Sequence, residues 1–107
     1  MNKYKFVLEA QEELRKEIAY SVKQWVKARA RKYRDALRKK VRIICRNPHL
    51  FPLRNDILAG IRICTSKVNH IIYSFIEEKK LIVILAILSI YQNVDASELK
   101  QRQKNQK

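Results

Sequence analysis

Leu81-Ile82-Val83-Ile84-Leu85-Ala86-Ile87-Leu88-Ser89-Ile90 holds nine apolar residues in ten, rich in β-branched side chains and without polar/apolar alternation. A strand with no alternation must be covered on both faces, which places it in the middle of a sheet packed on helices. A membrane span needs about 20 apolar residues, and the charged Glu77-Glu78-Lys79-Lys80 stands just before this run. The stretch reads as a core strand. The preceding Asn69-His70-Ile71-Ile72-Tyr73-Ser74-Phe75-Ile76 joins it through that charged turn, which lacks the Asn-Gly or Asp-Gly of a strong hairpin signal. Before it, Gly60-Ile61-Arg62-Ile63-Cys64-Thr65 alternates, with Ile61, Ile63 and Thr65 facing one way and Arg62 and Cys64 the other. Three strands on short connections predict an antiparallel meander.

Upstream, Lys3-Tyr4-Lys5-Phe6-Val7-Leu8 alternates as a first strand, with Tyr4, Phe6 and Leu8 inward and Lys3 and Lys5 outward. A helix is expected from about Glu9-Ala10, because Glu12, Glu13 and Glu17 suit the positive end of its dipole. Its apolar stripe is Leu14, Ile18, Val22 and Trp25 or Val26, and it continues unbroken through Ala30, Tyr33, Leu37, Val41 and Ile44. Periodicity alone gives one helix of about 35 residues, more than 50 Å long. A domain of this size cannot cover such a rod with one sheet. Asn47-Pro48 ends the helical part, and His49 to Ala59 reads as a loop with Phe51 and Leu53 tucked under it. Asp95-Ala96-Ser97-Glu98 has capping-box spacing for a short helix, while the polar Gln101 to Lys107 is expected to fray.

At 107 residues with a single glycine and two prolines, the chain suits one small domain rather than a loop-rich or disordered one. We place that domain at residues 1–95, with 96–107 as a basic tail. Cys45 and Cys64 lie 19 positions apart, and His49 and His70 do not complete a ligand spacing. No metal and no cofactor are expected. With no signal peptide ahead of the first strand, two reduced buried thiols in a cytoplasmic protein are the simplest reading. The net charge of +14 is concentrated in the helical half. Such a field attracts nucleic acid, an anionic membrane or an acidic protein without choosing among them.

Gly60-Ile61-Arg62, then His70-Ile71-Ile72-Tyr73, a charged turn and an Ile-rich last strand resemble the ParE/RelE superfamily of type II toxin–antitoxin toxins. Tyr20-Ser21-Val22-Lys23-Gln24-Trp25 is similar to the end of the first helix in the ParE branch. Ala30, Tyr33, Leu37 and Arg46-Asn47-Pro48 are similar to its second helix and closing Asn-Pro. The resemblance runs from about residue 4 to about residue 95. It implies an α+β fold in β-α-α-β-β-β order, a helical hairpin packed on a mainly antiparallel four-stranded sheet, turning near Gln24 to Ala28. It also implies a toxin that inhibits DNA gyrase without catalysis and is neutralised in a hetero-oligomer by an acidic, ParD-like antitoxin, with no membrane partner. A ribosome-dependent mRNA endonuclease like RelE and a plain basic nucleic-acid-binding module are the alternatives.

The densest basic run, Lys27 to Arg46, carries ten Lys/Arg and one acid, Asp35. Arg38, Lys39 and Arg42 are its candidates for binding a target or antitoxin, on a groove that a disordered acidic segment fills as it folds. In the resemblance Arg62 falls on an Arg that RNA-cleaving members hold in their cleft, where a guanidinium stabilises charge on phosphate. It would equally suit the solvent face of a strand. His70 reads as a polar residue near a turn, and Tyr73 as core with its hydroxyl at the rim; both join the binding candidates. After Leu88 no His, Arg, Lys or carboxylate appears until Asp95, and Ser89 stands where many ParE-like members show His. Tyr91, with Arg62, is all that remains for a ribonuclease, and a tyrosine of ordinary pKa about 10 is a poor base.

Overall fold

The computed structural model describes residues 2–24, 27–66 and 69–105. The chain runs β1 (Lys3–Phe6), α1 (Leu8–Gln24), α2 (Lys27–Arg46), β2 (Ile61–Thr65), β3 (Asn69–Ile76), β4 (Leu81–Ser89) and α3 (Ala96–Lys104). The sheet order is β1-β4-β3-β2, with β1 parallel to β4 and the other pairs antiparallel. Continuous hydrophobicity in β4 has the expected cause. Strands flank it on both edges, and Ile82 to Ile87 are at most 2% exposed.

The turn into β4 works without an Asn-Gly pair. Glu77–Lys79 forms a single 3₁₀ turn, and Lys80 closes it in the left-handed region at φ 49°. That conformation costs a non-glycine residue about 1–2 kcal/mol, which the long β3–β4 ladder offsets. Gly60, the chain's one glycine, stands at φ +82°, where a side chain would be strained as the loop enters β2.

The helical stripe folds into two antiparallel helices. Ile18 lies with Ala30 and Arg34, while Leu14 lies with Leu37 and Val41. The expected turn residues Trp25 and Val26 lie outside the described residues. Strand parity assigns the faces. Tyr4 and Phe6 share the hairpin side of the sheet with their register partners Ile82 and Ile84. Ala86 and Leu88 turn to the other side and line a cleft with Leu99 of α3.

Three local expectations change. The first strand ends at Phe6: the Val7 amide bonds Ile84, and the Val7 carbonyl accepts from Gln11, so the chain is already turning into α1. Leu8 therefore begins a helix and is 73% exposed instead of pointing inward. Phe51 packs against the core, but Leu53 forms a bridge with Arg62 and stays 47% exposed. The segment from Gln101 does not fray before Lys104. The Asp95 carboxylate caps α3 by accepting from the Glu98 amide at 3.2 Å, and Arg102 is only 6% exposed.

Arg102 is buried because of an irregularity in β4. Tyr73 pairs with Ile84 and Ile72 with Ala86, so Leu85 is the extra residue of a bulge. The short β1 does not reach beyond this point, and the backbone groups there need other partners. Arg102 Nη1 donates to the Leu85 carbonyl at 2.9 Å, and Glu13 Oε1 accepts from the Ile87 amide at 3.2 Å. Arg102 and Glu13 pair with each other at 2.8 Å, and Glu98 adds a second carboxylate at 2.6 Å. One ion pair between α1 and α3 thus finishes the edge that β1 leaves open.

Candidate functional site

Arg62 and Tyr73 are register partners on β2 and β3, and both reach toward the loop after α2. Arg62 Nη1 donates to the carbonyls of Phe51 at 2.6 Å and His49 at 3.3 Å, and Nη2 lies 3.2 Å from His49 Nδ1. A guanidinium can only donate, so His49 Nδ1 is an acceptor and the ring proton sits on Nε2. That nitrogen faces Glu77 Oε1 at 3.3 Å, and the ring stands edge-to-face on Phe75 at 5.5 Å. Arg62 therefore ties a loop down with bonds that would otherwise be open to a phosphate.

Tyr73 departs from its expectation. It is 0% exposed, and its hydroxyl, far from the rim, donates to the buried Pro48 carbonyl at 2.8 Å. It cannot touch a partner; it completes the anchoring of the loop. Burial pushes its pKa up from 10.0 to about 12, with neighbouring Arg62 opposing the shift. A phenol whose pKa is raised on folding contributes stability that is complete below pH 10 and is lost as pH climbs toward 12. Relative to Tyr73→Phe, the parent is expected to lose about 2–3 kcal/mol over that interval. Urea midpoints of both proteins from pH 8 upward measure it; parallel curves would show that the hydroxyl is not buried.

On the other flank lies a groove of ≈ 460 Å³ between the hairpin and the edge strand. Tyr4, Phe6, Leu14 and Val41 form an apolar surface, and Arg34, Arg38 and Arg42 line it at successive four-residue steps of α2. Tyr4 is 51% exposed, with its ring edge-on to Phe6. Of the predicted cluster, Arg38 and Arg42 are brought together here, while Lys39 is exposed and does not line the groove. Arg34 went unpredicted, although its i, i+4, i+8 spacing with the other two was a legible signal.

A family model described as "ParE toxin of type II toxin-antitoxin system, parDE" matches residues 4–93. The chain belongs to the ParE toxin family. A search of curated proteins finds no match. The ParE match spans β1 to the end of β4, so both the arginine groove and the Arg62 loop lie inside it, and α3 lies outside. The chain is thereby a toxin of the type II toxin–antitoxin class, whose members pair with an antitoxin. No helix among the described residues is long and apolar enough to cross a membrane.

The remaining ParE-region candidates are dispersed. His70 Nδ1 lies 3.0 Å from the Thr65 hydroxyl across the β2–β3 pair. Tyr91 follows β4 in a turn held by Gln92 Oε1 on the Ser89 amide, and it is 90% exposed. Ser89 pairs with Asn69, whereas Arg62 pairs with Tyr73, four residues further along β3. That spacing is about 13 Å of strand. Arg62 and Tyr91 are not brought together. Cys45 and Cys64 are buried, and burial raises both thiols above their ordinary pKa.

Proposed function

We propose that this ParE-family toxin acts by binding rather than cutting. DNA gyrase is its target, and an acidic antitoxin segment laid in the Arg34–Arg38–Arg42 groove neutralises it in a cytoplasmic hetero-oligomer. The observation that carries the non-enzymatic half is the engagement of Arg62. Cleaving RNA needs an acid, a base and a free cation converging on one phosphate. Here the guanidinium is spent on loop carbonyls, and Tyr91 sits at the other end of the sheet. An inhibitor that traps another enzyme needs only a complementary surface. The apolar groove supplies anchors for a helix or strand that folds on binding, and its arginines supply attraction at a distance.

A supercoiling gel run beside primer extension on translating ribosomes tests the target. The purified toxin is expected to block gyrase or trap its cleaved DNA complex, while ribosome-bound mRNA stays intact. Codon-specific cuts that vanish in Arg62→Ala would replace this reading with the endonuclease one. For the antitoxin, replacing Arg34, Arg38 and Arg42 with Ser should slow association about tenfold at low salt and flatten its salt dependence. An association rate as salt-dependent as the parent's would remove the groove from the neutralising interface.

A further inference from the structure

Lys32, Lys39 and Arg46 stand on α2 apart from the groove that Arg34, Arg38 and Arg42 line. Residues seven apart on a helix are about 20° from eclipsed and about 10.5 Å apart along its axis, so these three form one row. Lys39 stands about 200° around the axis from the buried Leu37, which aims the row away from the core. All three side chains are exposed, and no carboxylate among the described residues pairs with any of them. Asp35, four positions before Lys39, is the one acid on the helix. The apolar side chains within the row are Ala36 and Ile43, the latter 38% exposed.

We infer that this row is a docking surface for the phosphate backbone of duplex DNA, separate from the groove proposed for the antitoxin. A phosphate backbone is held mostly through charge, by cations that release its counterions, and it asks for no apolar anchors. A folded protein partner does ask for them, because a few well-buried anchors near the centre carry most of an interface's energy. Ala36 and Ile43 are all the row could give. A helix lying on a membrane sinks an apolar stripe into the lipid, and the stripe of α2, Ala30, Leu37, Val41 and Ile44, is already buried. Single strands are held by stacking on aromatic rings, and no exposed residue of α2 is aromatic. The assignment stands whether or not gyrase is the target, and it gives the chain a means of concentrating on DNA.

Fluorescence anisotropy with a labelled duplex of about 20 base pairs, longer than α2, tests this across about 50–200 mM salt. A dissociation constant of about 1–100 μM is expected at physiological salt, tightening as salt falls. Replacing Lys32, Lys39 and Arg46 together with Gln should weaken low-salt binding at least about tenfold and make the slope of log K against log salt about 2–3 shallower. Lys5→Gln with Lys100→Gln and Lys104→Gln removes the same charge from exposed positions on β1 and α3, and should keep the parental slope. An equal loss in both triple variants would reduce the effect to net charge and overturn the assignment, as would a parental slope in the α2 variant. Tighter binding to the single strand or to double-stranded RNA would replace duplex DNA with that polymer. Row-dependent binding to phosphatidylglycerol vesicles or to polyglutamate, without binding to the duplex, would replace it with a membrane or an acidic protein.

Discussion

Ile84→Asp is expected to abolish folding. Ile84 is 0% exposed and sits between Phe6 on β1 and Tyr73 on β3, its register partners on either side. Its carbonyl accepts from the Val7 amide at 3.1 Å, so this position also holds the first strand in place. An aspartate there sits in a cluster of apolar side chains. Its carboxylate must be buried unpaired or protonated, at a cost of several kcal/mol. A domain of this size has about 5–15 kcal/mol in all. Circular dichroism and the soluble fraction after expression report the outcome, with Ile84→Val, expected to lose about 1 kcal/mol, as the packing control. Soluble Ile84→Asp with a parental unfolding midpoint would mean that β4 is not the centre of the fold.

The second large effect belongs to Arg102. Arg102→Met strands the Glu13 carboxylate and the Leu85 carbonyl at the bulge, both of which lose a partner in an enclosed place. Breaking a buried ion pair on one side costs about 3–5 kcal/mol, whereas removing both charges is often far milder. Glu13→Gln with Arg102→Met keeps an acceptor for the Ile87 amide and leaves no lone charge in the enclosed part of the site, the Glu98 carboxylate being 57% exposed and open to water. The double variant is therefore expected to be more stable than Arg102→Met alone, with a coupling of about 1–3 kcal/mol. Urea denaturation of the four proteins completes the cycle. If Arg102→Met unfolds within about 0.5 kcal/mol of the parent, α3 does not seal the β4 edge and the segment behaves as the frayed tail its composition suggests.

The meander of β2, β3 and β4 and the central place of β4 were legible in the sequence. The unbroken apolar run of β4 requires cover on both faces, and alternation in β2 assigns its sides. The capping spacing at Asp95 also marks the start of α3 correctly, because that signal is local and needs nothing beyond the next turn. Where α1 gives way to α2 was not legible from periodicity, since a stripe with a 3.6-residue repeat looks the same along one rod or two. The fates of the charged and aromatic side chains follow only from contacts made in the folded chain. Arg102 reads as a solvated tail residue until a bulge at Leu85 orphans a carbonyl within its reach. Arg62 and Tyr73 look available to a partner until the loop after α2 folds back and takes their hydrogen bonds. Arg38 and Lys39 are neighbours in the chain, yet only Arg38 meets the groove, because successive helix positions point about 100° apart. Such outcomes depend on which backbone groups the folded chain leaves unpaired, and no window of sequence contains both partners.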